Sequence, residues 1–303
     1  GGAKRTLCCW FTRKEALARP KGGRRIASLK QSAGGMGMTK TAAFIALMFA
    51  LGAAQDRLSQ AALKVLPLPW VVATLHFGAG MLWIFPAWTI GLRQTPCLND
   101  IQKKRVTPLA FLHAAGHLCA LGALGAGSLA VTHVFQAAEP VVVSVMSWAV
   151  VEKGQHLVAW LALLPLVAGV GIIFREGIMG SWVADAVGAC GVLLCGARTT
   201  FSQQVMRREA VALKGQLCSV VFVSGCLVLL PFAIIMEGSQ VLRQWERSAA
   251  EVGNSALIIK LVQGGTYFYM WSECLFGLIE EAGAAVAAVT VAIRPVAVYA
   301  FSA

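Results

Sequence analysis

Long apolar runs recur along almost the whole chain, and they limit what it can become. Nine stretches of helical length occupy residues 41–65, 69–92, 107–131, 132–151, 156–174, 181–206, 215–237, 256–281 and 282–303. About 20 mostly apolar residues are needed for a helix to cross the hydrocarbon core of a bilayer. In that core every backbone N–H and C=O must find a partner inside the protein, which such runs achieve as helices. Charged residues are 13% of the chain, against about 25% in a soluble domain. Mean hydropathy is +0.69. The 31 glycines fit close helix packing in lipid. The expected fold class is an all-α polytopic membrane protein, and both a soluble domain and a disordered chain are excluded.

The charge is concentrated at one end. Residues 1–40 hold ten Lys/Arg against Glu15 alone, so they carry +9 of the formal +12. This basic, acid-poor segment has the composition of an organellar transit peptide; the competing reading is a tail held near anionic lipid. With the N-terminus on one side, the same side receives Arg93, Lys103, Lys104, Arg105, Lys153, Arg207, Arg208 and Lys214. That bias agrees with the span count and makes this the positive-inside face. Most of the nine cysteines lie in apolar runs, without zinc spacing, and read as small hydrophobes.

A short echo links the two parts of the chain. Aligning Pro140 with Pro295 sets Ala137 against Ala292, Glu139 against Arg294 and Val141 against Val296. Such an echo is expected of a transporter built from two repeats of five spans. The parts are then a tail (1–40), a first half (41–176) and a second half (177–303). The last run stops at Ala303, so about nine helices are expected here, with the second half cut short. Each proline removes a backbone hydrogen bond and should kink its helix, freeing the carbonyls of Gln136 and Val291. Broken helices at the midplane are where transporters bind solutes.

Ionisable groups inside spans are costly and usually face a cavity or a partner. Glu139, Arg294, Arg198 and Glu273 are of this kind, as are His113 and His117, four residues apart on one helix face. Arginine suits phosphate or carboxylate because its fork binds two oxygens at once. The functional reading is an aqueous cavity for an anionic solute, with Glu139 a possible gating or coupling group. The structural reading is a buried ion pair, Glu139–Arg294 or Glu273–Arg198. Asp56-Arg57 marks either a cavity mouth or a late helix start. Gly116/Ala120 and Gly122/Ala126 read as close helix packing. No hydrolase, metalloprotease or P-loop motif is present, so no enzyme, metal or cofactor is expected. The basic residues lie in a tail, so no nucleic-acid partner is expected either.

Several strings together resemble the plastid phosphate translocators of the drug/metabolite transporter superfamily, the triose-phosphate/phosphate exchangers. They are THVFQAAEP, the following GVGIIFREGIMGSW, LPLPWVVATLHFGAG, AAGHLCALG, ARTTFSQQVMRR and GGTYFYMWSECLFGLIEEAGAAVAAVTVAIRP. The resemblance covers about residues 41–303 in order. It implies ten helices in two inverted five-helix halves, and exchange of inorganic phosphate for a phosphorylated sugar or related compound across the plastid envelope. By position it assigns substrate binding to His117, Arg198 and Arg294. The family's span-three Thr is Ala120 here, its span-four Lys is Gln136, its span-eight Tyr is Trp271, and the Lys of its span-nine pair is Ile293. A Lys early in span one is Ala61.

Losing two phosphate-holding lysines costs about 1.5–3 kcal/mol each if both make charge-assisted hydrogen bonds. That amounts to roughly two to four orders of magnitude in phosphate affinity. The expectation is a membrane antiporter with altered selectivity, in which Gln136 and Trp271 read the rest of the solute. Its partners are phosphorylated small molecules, inorganic phosphate and the bilayer. The alternatives are a nucleotide-sugar or other metabolite carrier of the Golgi or endoplasmic reticulum, and a degenerate member that does not transport.

Overall fold

The computed structural model describes residues 34–127, 129–151, 161, 163–165, 168–169, 182–208 and 216–302. The basic segment up to residue 33 and most of the fifth apolar run, 156–174, lie outside the described residues. Nine helices occur among the described residues: α1 (Gly34–Val65), α2 (Pro69–Thr89), α3 (Asp100–Ala126), α4 (Leu129–Ala137), α5 (Glu139–Val151), α6 (Trp182–Arg208), α7 (Leu217–Val252), α8 (Asn254–Ala282) and α9 (Ala284–Ser302). Five of them are long and apolar enough to cross a membrane. With the long apolar runs, this is an all-α polytopic membrane protein.

The helix ends have local causes. α3 starts at Asp100, not 107, because Asn99 closes a capping box: its side chain accepts from Gln102 N at 2.8 Å, and its own N–H donates to Gln102 Oε1 at 3.0 Å. α1 begins at Gly34, so its first turn overlaps the segment read as tail. The fourth apolar run, 132–151, is interrupted at Ala138. There Glu139 and Pro140 open α5, and a proline in a first turn forfeits no helical hydrogen bond. Pro295 does not break its helix: α9 runs through it. The two prolines therefore differ: a helix break accompanies Pro140, whereas α9 continues through Pro295.

α7 runs to Val252, well past the expected end at 237. Its 36 residues span about 54 Å, more than a bilayer core of about 30 Å. The charged extension contains no glycine or proline between Gly238 and Gly253, where φ reaches +86°. α7 also holds the turn between α1 and α2, through Glu237 and, in the extension, Ser248. Glu237 accepts from the free N–H groups of Trp70 at 3.2 Å and Val71 at 2.9 Å, capping α2 from another helix. Ser248 Oγ donates to Val65 O at 2.8 Å, at the end of α1.

The core is a cross-packed bundle. α1 lies against α8, and α3 against α6; α2 meets both α7 and α8, and α7 also meets α3. Exchanging each span with the one five places on turns α1–α8 into α6–α3 and α2–α8 into α7–α3. Small residues make these approaches possible. A Cβ on Gly116 would sit 3.1 Å from Cys195 Sγ, and one on Gly122 3.2 Å from Val187, so the expected packing face of α3 is spent on α6. On α8, a Cβ on Gly265 would come within 2.7 Å of His76 Cα, which brings the α2 backbone against the helix. The outward faces carry large apolar side chains such as Leu82, Trp148 and Ile235, as lipid contact requires.

Candidate functional site

One cavity of about 70 Å³ lies where α1, α3, α4, α5, α6, α8 and α9 converge. It has room for several waters or a small oxyanion. His117, Gln136, Glu139, Arg198, Trp271 and Arg294, the six residues singled out from the sequence, all line it. They come from six helices and are drawn together by the pairing of α3 with α6 and of α9 with α1 and α5.

The two guanidiniums are buried, Arg294 at 2% and Arg198 at 4% exposure. Arg294 Nη2 donates to Asp56 Oδ2 at 2.6 Å and to Gln136 Oε1 at 2.7 Å. Arg198 Nη2 reaches Glu139 Oε1 at 3.4 Å, an oxygen that also accepts from the Thr199 hydroxyl at 2.8 Å. Trp271 lies beside both, its ring centroid 5.9 Å from the Arg198 guanidinium carbon and 5.8 Å from that of Arg294. Such contacts are worth about 0.5–2 kcal/mol each, more when desolvated. Arg198 Nε, Arg294 Nε and Trp271 Nε1 are buried with no hydrogen-bond partner among the described residues.

His117 faces the cavity with its ring stacked on Phe268, centroids 3.6 Å apart. Its Nε2 lies 3.1 Å from His76 Nδ1. One turn away, His113 packs among Phe77, Phe222 and Phe268 and does not line the cavity. The shared helix face therefore serves two environments.

The ion pairs differ from those expected. Glu139 pairs with Arg198, not Arg294, and Arg294 pairs with Asp56. Glu273 pairs with Arg93 through two bonds of 2.6 and 3.1 Å, and accepts from Tyr269 OH at 2.7 Å. Arg93 lies beyond the end of α2, and the Glu273 carboxylate raises its pKa above the ordinary arginine value despite partial burial. Each of these three pairs joins a residue before 176 to one after 177.

Asp56 lines the cavity while Arg57 is exposed, and α1 begins at Gly34, so the dipeptide is not a late helix start. Ile293 is half exposed on the outer face of α9, so its position does not point a side chain into the cavity. Ala120 lines the cavity; Ala61 does not. Sequence reasoning missed Gly52 and Thr199. A Cβ on Gly52 would run into Arg294, so this glycine lets the guanidinium lie on α1 within reach of Asp56, one turn away. The available signal was the four-residue spacing from Gly52 to Asp56. Among the described residues no group of His, Cys, Asp and Glu has the arrangement of a metal site.

The Triose-phosphate Transporter family profile matches residues 39–303. Similar curated proteins include the chloroplastic triose phosphate/phosphate translocators of Solanum tuberosum and Spinacia oleracea. The first is 25% identical over 78% of this chain and 56% of its own length, the second 23% over 86% and 64%. The glucose-6-phosphate/phosphate translocator 1 of Arabidopsis thaliana is 23% identical over 80% of this chain and 62% of its own. The chain thus spans less than two thirds of the length of these relatives.

Proposed function

The chain belongs to the Triose-phosphate Transporter family, and on that premise we propose that it is an antiporter of the plastid envelope. It exchanges phosphorylated sugars or related organic phosphates for inorganic phosphate, with altered selectivity. One observation carries this reading: two buried guanidiniums, from α6 and α9, line one cavity, each within about 6 Å of the same indole ring. Arg198 and Arg294 hold the phosphoryl oxygens. The Trp271 N–H and His117 orient the remainder, and Gln136 fixes the Arg294 fork. Glu139 holds Arg198 until the solute arrives and releases it as the halves, 41–176 and 177–303, rock about the site. The three ion pairs between the halves are the contacts that such motion remakes.

The Trp271 ring already has two guanidiniums and the Phe268 ring beside it, and no specific observation favours the nucleotide-sugar reading. The names of the relatives support the phosphate-exchange reading and the plastid location.

Counter-exchange in proteoliposomes preloaded with phosphate tests the proposal. Triose phosphate, phosphoenolpyruvate, pentose and hexose phosphates and a nucleotide sugar are offered outside. Saturable uptake of a phosphorylated compound is expected; uptake of the nucleotide sugar alone would replace the proposal with its alternative.

A further inference from the structure

We propose that Asp56 is a specificity-determining residue: a tethered carboxylate that occupies Arg294 and favours singly charged tetrahedral anions over doubly charged ones. The inference rests on the antiporter reading and names the charge state that the site accepts.

The argument starts from the charges. The described side chains around the cavity include two arginines, Arg198 and Arg294, and two carboxylates, Asp56 and Glu139. Their formal sum is zero. Each guanidinium already has an anion, and the Asp56 contact is the shorter, 2.6 Å against 3.4 Å. It is also built into the backbone, because Gly52 makes room on α1 for Arg294 and Asp56 follows one turn later on the same face.

What remains is hydrogen-bonding capacity without spare positive charge. Arg198 Nε, Arg294 Nε and Trp271 Nε1 are buried donors lacking partners among the described residues. Arginine N–H groups match the oxygens of a tetrahedral anion. A solute with one negative charge leaves the site at −1, and a doubly charged one leaves it at −2. In a buried site of low effective dielectric the second charge is the costly one. The accepted species is therefore a phosphate or phosphate ester in its singly charged state.

The test uses two probes of similar shape, methyl sulfate and methyl phosphate. Near pH 8 the first carries one negative charge and the second almost two, since the second phosphate pKa is about 6. Both are applied as inhibitors of phosphate exchange in proteoliposomes containing the wild-type chain, Asp56→Asn or Asp56→Glu. Wild type and Asp56→Glu should be inhibited more strongly by methyl sulfate. Asp56→Asn should gain about tenfold or more in sensitivity to methyl phosphate.

Stronger inhibition of wild type by methyl phosphate than by methyl sulfate would overturn the inference, whether or not the variants fold. So would an equal gain in Asp56→Asn and Asp56→Glu. Thermal shift of the purified wild type in detergent, with the same probes, separates this claim from the antiporter reading. A protein that exchanges no phosphate, yet is stabilised more by methyl sulfate than by methyl phosphate, loses the antiporter reading and keeps the role of Asp56. Equal or greater stabilisation by methyl phosphate removes that role, and no exchange with no stabilisation by either probe removes both claims.

Discussion

At the scale of the residue, the account turns on Arg294 and what it touches. Arg294→Ala strands Asp56 as an unpaired buried carboxylate, and breaking a buried pair from one side costs about 3–5 kcal/mol. The double variant Asp56→Ala/Arg294→Ala should recover part of that loss, and thermal unfolding in detergent measures both. Gln136→Lys places a second cation beside Arg294 and should raise phosphate exchange; an unchanged half-saturation for phosphate would remove the selectivity argument at that position. Arg198, Arg294 and Glu139 were legible in the sequence because an ionisable group within an apolar run is conspicuous. Their partners were not. Asp56 and Arg294 are 238 positions apart, and only the packing of α9 on α1 brings them together. The direction of Ile293 was hidden for a related reason: a motif gives adjacency along the chain, whereas the cavity receives only one face of α9.

At the scale of the element, apolar length revealed the helices but not their ends. Span seven reads as finished where charge begins, yet an amphipathic continuation keeps helical propensity until Gly253 stops it. Glu237, the last residue before that extension, gives α2 an N-terminal cap that its own Leu68 cannot supply. Glu237→Ala should lower stability by about 1–3 kcal/mol, read as a drop in unfolding temperature, with the half-saturation for phosphate unchanged because Glu237 does not line the cavity. Gly265→Ala drives a methyl group toward the backbone at His76. The resulting overpacking should cost about 1–3 kcal/mol, and exchange should fall because His76 holds His117. The small-residue face of α3 was readable in advance, since Gly and Ala at four-residue spacing leave a groove whatever fills it. Capping between helices has no such local signature.

At the scale of the whole molecule, the chain is a bundle whose described long-range ion pairs all join its earlier part to its later part. Asp56–Arg294 and Glu139–Arg198 meet at the cavity, and Arg93–Glu273 lies outside it. The all-helical membrane fold followed from the apolar runs, and the family from strings spread along residues 41–303. The charge balance of the cavity was not available from either, because a net charge of zero arises only once four side chains from different helices share one space. The central claim is that Arg198 and Arg294 form an anion site used for exchange. Phosphate–phosphate exchange, compared between wild type and Arg294→Ala at equal amounts of inserted protein, tests it most directly. Saturable exchange in wild type and its loss in the variant is the predicted result; equal exchange in both would contradict the account.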